Sequence, residues 1–152
     1  MPVVAPRSEL AGYKGKSLGA GPWFTIDQNR VNGFADVTVD HQFIHVDIEK
    51  AKQTPFGGTI AHGFLTLSLI VHLSEDIMLM PKEMTMAMNY GFDKIRFLSP
   101  VKTGSRVRAK ATVGEITDKE SGVLIKQIIE VEIEGVDKPA LICEWLTMYV
   151  CS

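Results

Sequence analysis

Ala61-His62-Gly63-Phe64-Leu65-Thr66-Leu67-Ser68-Leu69-Ile70-Val71-His72-Leu73 carries the longest apolar run of the chain. From Ala61 to about Met80 the spacing predicts a helix. Its apolar residues Phe64, Leu65, Leu67, Leu69, Ile70, Val71 and Leu73 go nearly all the way round and cannot share one stripe. A helix apolar on every side is enclosed by protein rather than laid on a surface. The run is too short to cross a bilayer and passes into Ser74, Glu75 and Asp76, so no membrane segment is expected.

Beyond Pro81 the period changes from helical to two. Met84, Met86 and Met88 alternate with Thr85, Ala87 and Asn89, and Ile95-Arg96-Phe97 follows. Arg106, Arg108 and Lys110 alternate with Val107, Ala109 and Ala111. After the turn Asp118-Lys119-Glu120-Ser121-Gly122, Val123, Ile125, Ile129, Val131 and Ile133 oppose Lys126, Glu130, Glu132 and Glu134, and a last strand covers Leu141 to Val150. These are half-buried antiparallel strands, one face dry and one wet. The methionine stripe is read as core facing the helix, with an adaptable acyl tunnel as the other use of such side chains.

Upstream, the segment to Gly21 reads as a loosely docked loop, and Trp23-Phe24-Thr25-Ile26 as a short strand. Asp27 is an N-cap for a helix through Val31, Phe34 and Ala35. A second short helix follows Asp47 and is stopped by Pro55 and Gly57-Gly58. One central helix and about four successive strands predict an α+β domain, with a curved antiparallel sheet wrapped around a long central helix. The 152 residues are read as a single domain, 1–152. One helix cannot cover a long sheet and its edge strands would be exposed, so a homodimer is expected.

The bulk composition is that of an ordinary globular chain: 45% hydrophobic, 22% charged, net charge −2. No global positive field recruits nucleic acid, and no Lys/Arg run addresses an anionic membrane. Cys143 and Cys151 have neither zinc nor disulfide-framework spacing, which points to a cytoplasmic address.

Chemistry concentrates in Val39-Asp40-His41-Gln42-Phe43-Ile44-His45 and Gly57-Gly58-Thr59-Ile60-Ala61-His62-Gly63-Phe64. A carboxylate near a histidine supplies acid/base work at neutral pH. A cap and a surface residue are the plainer use of the same two residues. The backbone N–H of Gly63, in a first helical turn, is a fixed donor for developing negative charge, and the missing side chain lets a substrate approach. Packing or a turn is the alternative for an isolated glycine. His62 is read as a structural histidine. Asp40, His41, His45 and His62 match no standard metal spacing, so no metal is expected, and Ser68 lacks the elbow of a serine nucleophile. Lys94, Arg96, Lys102, Arg106, Arg108 and Lys110 are read as a solvated sheet face that is also chemically suited to phosphates.

These two stretches, with Phe34-Ala35-Asp36-Val37-Thr38-Val39 before them, resemble the MaoC-like, (R)-specific enoyl-CoA hydratases. Asn89-Tyr90-Gly91, Lys94-Ile95-Arg96-Phe97, Pro100-Val101 and Gly104-Ser105 resemble the family's next block, and the likeness runs from about Trp23 to Val113. It is closest in kind to compact single-domain bacterial members, including mycobacterial ones. The resemblance implies the hot-dog fold and reversible hydration of a trans-2-enoyl-CoA to a (3R)-hydroxyacyl-CoA without a cofactor. It implies that Asp40 and His45 activate water and that the Gly63 N–H holds the enolate oxygen. The acyl-CoA, or a carrier-protein-bound thioester, is expected against Phe43, Thr59, Ile60, Phe64, Asn89 and Tyr90, with Lys94 and Arg96 toward its phosphates. Gln42-Phe43 stands where many relatives carry Asn-Pro, and Phe43 is large enough to narrow the acyl site. A hot-dog thioesterase and a non-catalytic acyl-binding or partner subunit are the alternatives; the intact Asp40–His45 pair favours a hydratase over both.

Overall fold

The computed structural model describes residues 1–152. Four long strands build one antiparallel sheet: β5 (Met84–Phe97), β6 (Arg106–Lys119), β7 (Gly122–Ile133) and β8 (Val136–Cys151). They lie in the order β6-β7-β8-β5; β2 (Ser17–Ala20) and β3 (Phe24–Thr25) both pair with the far side of β6. β5 is therefore a sheet edge. The period-two reading of β6 and β7 holds: Val107, Ala109, Ala111, Val123, Ile125, Ile129, Val131 and Ile133 are all buried on one face. Arg106, Arg108 and Lys110 lie on the other and pair with Glu134 and Glu132, as a solvated sheet face should. Burial pushes the Cys143 thiol up to about 12, so this cysteine is a core residue and not a nucleophile.

The central helix is shorter than its apolar run predicts. It consists of α4 (Gly63–Ser68) and α5 (Ile70–Ser74), joined through Leu69, which keeps right-handed helical backbone. Bonds from Leu69 N to Leu65 O and from Leu73 N to Leu69 O carry the ladder across the join. The helix ends where the Ser74 hydroxyl bonds back to Ile70 O, and Leu79–Pro81 forms strand β4 instead of further helix turns. A long-range partner decides this: β4 pairs in parallel with β1 (Val3–Ala5).

The N-terminal segment is correspondingly ordered, not loosely docked. After β1 comes a 3-10 helix, Arg7–Tyr13, whose Leu10 is fully buried with Ala5, Leu79 and Tyr149 in a second core cluster. Arg7 anchors it, bonding Asp118 and the carbonyls of Lys119 and Gly122 through its side chain and Glu83 through its backbone N–H.

Two burial expectations are overturned together. Two of the three methionines of the stripe are not core: Met86 is 53% and Met88 45% exposed, on the edge strand β5, while the half-buried Met84 packs on the second core cluster. Nor is the helix enclosed on all sides, since Phe64 (68% exposed) and Val71 face out beside that strand. The remaining helix face, with Leu65, Ile70 and Leu73, packs on the sheet in the main core. The result is the hot-dog arrangement, a sheet curled over one helix.

Candidate active site

Helix α1 (Gln28–Thr38) begins as its sequence predicts, with the Asp27 carboxylate accepting from Arg30 N at 2.8 Å. Its far end positions Asp40. The backbone N–H groups of Val39 and Asp40 both reach Ala35 O, the second across 3.1 Å, in a Schellman-type stop. Val39 takes the left-handed position (φ 61°) that glycine commonly fills, an unusual conformation for a β-branched residue. Strain of this kind costs about 1–3 kcal/mol. Since the Val39 side chain is largely exposed and buries little, Val39→Gly is expected to raise stability by about 1 kcal/mol, read as a higher urea midpoint.

His45 lies in the one-turn helix α2 (Phe43–Val46), followed by α3 (Ile48–Ala51). Three bonds fix it. Its carbonyl accepts from Gln28 Nε2 at 2.8 Å, Ile60 N donates to the neighbouring Ile44 O at 3.0 Å, and its own Nδ1–H donates to Ile60 O at 2.7 Å. A carbonyl only accepts, so the proton of the neutral ring sits on Nδ1 and Nε2 keeps its lone pair. His45 is 6% exposed, and burial is the main cause that lowers its pKa below the ordinary 6.5. The Ile60 carbonyl and Asp40 oppose that shift, while His62 adds to it.

The sign of the pH effect follows. A folded protein that binds this proton less readily than the unfolded chain keeps the full benefit above pH 6.5 and loses it as pH falls toward the lowered value. Between about pH 7.5 and about pH 5, wild type is expected to lose more stability than His45→Gln, checked by urea titration of both.

His62 closes the group. Its Nε2–H donates to Asp40 O at 3.0 Å, its ring stacks on His45 with centroids 3.8 Å apart, and Phe34 packs on it at 4.9 Å. Asp40, His45, His62, Gly63, Phe64 and Phe97 together line a cleft of about 220 Å³. A deeper cavity of about 190 Å³ shares His45, Gly63 and Phe97 and continues to Ile60, Pro100 and Leu141. A Cβ on Gly63 would lie 3.1 Å from the Phe97 ring, so only glycine leaves this passage its present width. As the first residue of α4, Gly63 has no carbonyl one turn earlier to take its N–H.

The ligating atoms of Asp40, His45 and His62 lie within 4.8 Å of one another. Their geometry does not suit a metal. Rings stacked with centroids 3.8 Å apart and an interplanar angle of 23° hold their in-plane lone pairs in nearly parallel planes, which do not meet at one ion. What the arrangement offers is a carboxylate, an imidazole lone pair and a backbone donor around one small apolar-walled cleft. That suits proton transfer beside a polarised carbonyl.

The other residues singled out in the sequence are spread more widely. Ile60 lines the deeper cavity and Phe64 the cleft. Thr59 is buried in a polar cluster, donating to Gln28 Oε1 at 2.6 Å and hydrogen-bonded with the Thr103 hydroxyl at 2.9 Å; it faces a separate surface hollow. Phe43 lies under the Lys50 ammonium. Asn89 and Tyr90 border a groove of about 350 Å³ between helix and β5, with Leu67, Ile70, Val71 and Trp145, and share no wall with His45. Lys94 and Arg96 are exposed on β5 and line neither the cleft nor the cavity behind it. Phe97 falls in a block of the resemblance, but its place at the cleft, like the stacking role of His62, escapes a reading by motif, because each depends on an element remote in sequence.

A family model described as a MaoC like domain matches residues 10–134. Nodulation protein N of Rhizobium leguminosarum bv. viciae is 48% identical over 136 residues, covering 88% of this chain and 84% of that protein. The 3-hydroxyacyl-thioester dehydratase Z of Mycobacterium tuberculosis is 45% identical over 144 residues, 94% of this chain and 95% of its own. In fold, the R-hydratase PhaJ1 of Pseudomonas aeruginosa is similar with a TM-score of 0.75 at 24% identity, covering 97% of this chain and 86% of that one. With a sheet curled on its helix and this match along most of its length, the chain belongs to the MaoC-like dehydratases and is a hydro-lyase.

Proposed function

We propose that the protein is an (R)-specific enoyl-CoA hydratase, adding water reversibly to a trans-2-enoyl thioester to give the (3R)-hydroxyacyl thioester. The observation that carries this reading is the tautomer of His45. Its Nδ1–H is committed to Ile60 O, and the opposite nitrogen is left as a base on a cleft shared with Asp40 and Gly63. The name of the mycobacterial relative, a 3-hydroxyacyl-thioester dehydratase, supports the same substrate class, and the R stereochemistry rests on the Asp40-x4-His45 resemblance.

In the hydration direction, His45 Nε2 and the Asp40 carboxylate take a proton from water as its oxygen bonds to C3. The π electrons move toward C1, where the Gly63 N–H stabilises the enolate oxygen. The enolate then collapses as C2 accepts a proton from the acid form of the pair. Removing such an oxyanion donor costs about 2.7–4 kcal/mol of transition-state stabilisation. The acyl group fits the deeper cavity beyond Phe97, which is small and mainly apolar. The functional unit is a homodimer formed along the open edge of β5, which also buries Met86 and Met88.

The test follows crotonyl-CoA through its enoyl absorbance, with chiral analysis of the product and a thiol reagent in parallel. Loss of absorbance with a (3R) product and no free thiol supports the reading. Thiol release identifies a thioesterase, and an inert protein identifies a binding or partner subunit.

A further inference from the structure

We infer that His62 is a positioning residue of this site: it holds Asp40 against His45 and, stacked on the His45 ring, opposes a second positive charge beside it. The inference rests on the function proposed above for Asp40 and His45.

Three observations carry it. The Nε2–H of His62 donates to the backbone carbonyl of Asp40, so the ring fixes the residue whose carboxylate faces the cleft. Its face lies on the face of His45 at 3.8 Å. Its Nδ1 is fully buried and has no hydrogen-bond partner, in a residue only 2% exposed. A histidine serving only as packing would not need a proton-accepting atom left unpaired in the interior, where such atoms are costly.

The groups around the two rings give that atom its consequence. Helix α1 presents Phe34 to His62, and its acid Asp36 is turned outward and bonded to His41 at 2.8 Å. Strand β5 presents Phe97, the 60–61 segment presents Ile60 and Ala61, and no lysine or arginine lines either cavity. Asp40 is thus the one carboxylate at the pair. With a single counter-charge at hand, a second proton on stacked rings meets repulsion across little polarisable material. When His45 takes the proton of water, a second proton on the ring stacked at 3.8 Å would oppose that step.

The experiment compares wild type with His62→Phe and His62→Gln. Phenylalanine keeps a stacking ring but removes the bond to Asp40 and the second proton site. Glutamine removes the proton site and places an amide N–H where the His62 Nε2–H meets the Asp40 carbonyl. The expected results are a loss of kcat on the order of 10²-fold in His62→Phe, through misplacement of Asp40, and substantial recovery in His62→Gln. In both variants the acid limb of kcat/KM moves to higher pH, because the neighbour that opposes protonation of His45 is gone.

The titration of the His45 ring, followed by NMR of histidine-labelled protein, moves the same way and is independent of turnover. It therefore tests the inference even where wild type hydrates no enoyl thioester, the result that sinks the proposed function alone. Thermal melts establish that each variant is folded, and if His62→Phe is not, His62→Gln carries the comparison. A His45 titration unchanged in the folded variants overturns the inference and leaves His62 a packing residue.

Discussion

Asp40→Asn and His45→Gln each lower kcat for crotonyl-CoA hydration by about 10²–10⁴-fold, the range that a positioned acid or base supplies. The physical case rests on what each substitution leaves in place. Asp40 is exposed and its carboxylate makes only a long contact, 3.4 Å, with Gln42 N, so asparagine costs the fold little while removing a charge and a proton acceptor. Glutamine at position 45 reaches the Nε2 side of the space that the ring fills but carries no basic nitrogen there, and it gives up the 2.7 Å bond from Nδ1 to the Ile60 carbonyl. KM is expected to change far less than kcat, since neither group is needed to hold the thioester before reaction. The double variant should be scarcely slower than the worse single one, because two groups moving the same proton act as a unit. The check is steady-state kinetics of all three proteins alongside their circular dichroism spectra. Full turnover in either single variant would remove that residue from the mechanism.

This site was legible in the sequence to the extent that its parts are local. The five-residue step from Asp40 to His45 spans one helix stop and one helix turn, and the cap at Asp27 is written in adjacent residues. The stack of His62 on His45 joins positions 17 apart through the bridge of α2 to Ile60, and nothing in either stretch taken alone announces it. Asn89 and Tyr90 show the opposite case: they fall in a motif block yet sit on the groove, away from His45.

The fold divides in the same manner. Alternation identified the buried faces of β6 and β7, because a half-buried strand carries its environment in its own pattern. The helix was overextended because Ile77, Met78 and Leu79 are as apolar as the turns before them. They are buried, but as the approach to a strand paired with Val3–Ala5, about 75 residues earlier in the chain. Apolar content records burial, and only the long-range partner distinguishes helix from strand here. The methionines carry a related lesson: their period was readable, but it does not tell an exposed edge strand from a covered one.

That uncovered surface yields the second large effect. Met86→Glu/Met88→Glu is expected to convert the proposed dimer to a monomer, weakening association by at least about 10³-fold. Strand β5 lies at the end of the sheet, with eleven of its fourteen residues in register with β8 on one side and the other side open. Such an open edge, carrying Met86, Met88, Tyr90 and Phe92 with Phe64 and Val71 beside it, is a template for a second strand. A copy related by a two-fold axis presents the same strand antiparallel, so each methionine meets an equivalent apolar neighbourhood. The double substitution brings four carboxylates into that contact, and each buried unpaired charge costs several kcal/mol. Because both side chains are exposed in the single chain, the monomer itself should keep its fold. Light scattering during gel filtration at micromolar concentration reads the outcome: wild type at twice the 16.8 kDa of one chain, the variant at that mass alone. A monomeric wild type would refute the edge pairing, and a variant still dimeric would place the contact elsewhere on the surface. Where the monomer forms, its rate on crotonyl-CoA then shows whether the open side of the cleft, at Phe64 and Phe97, needs the second chain to exclude water.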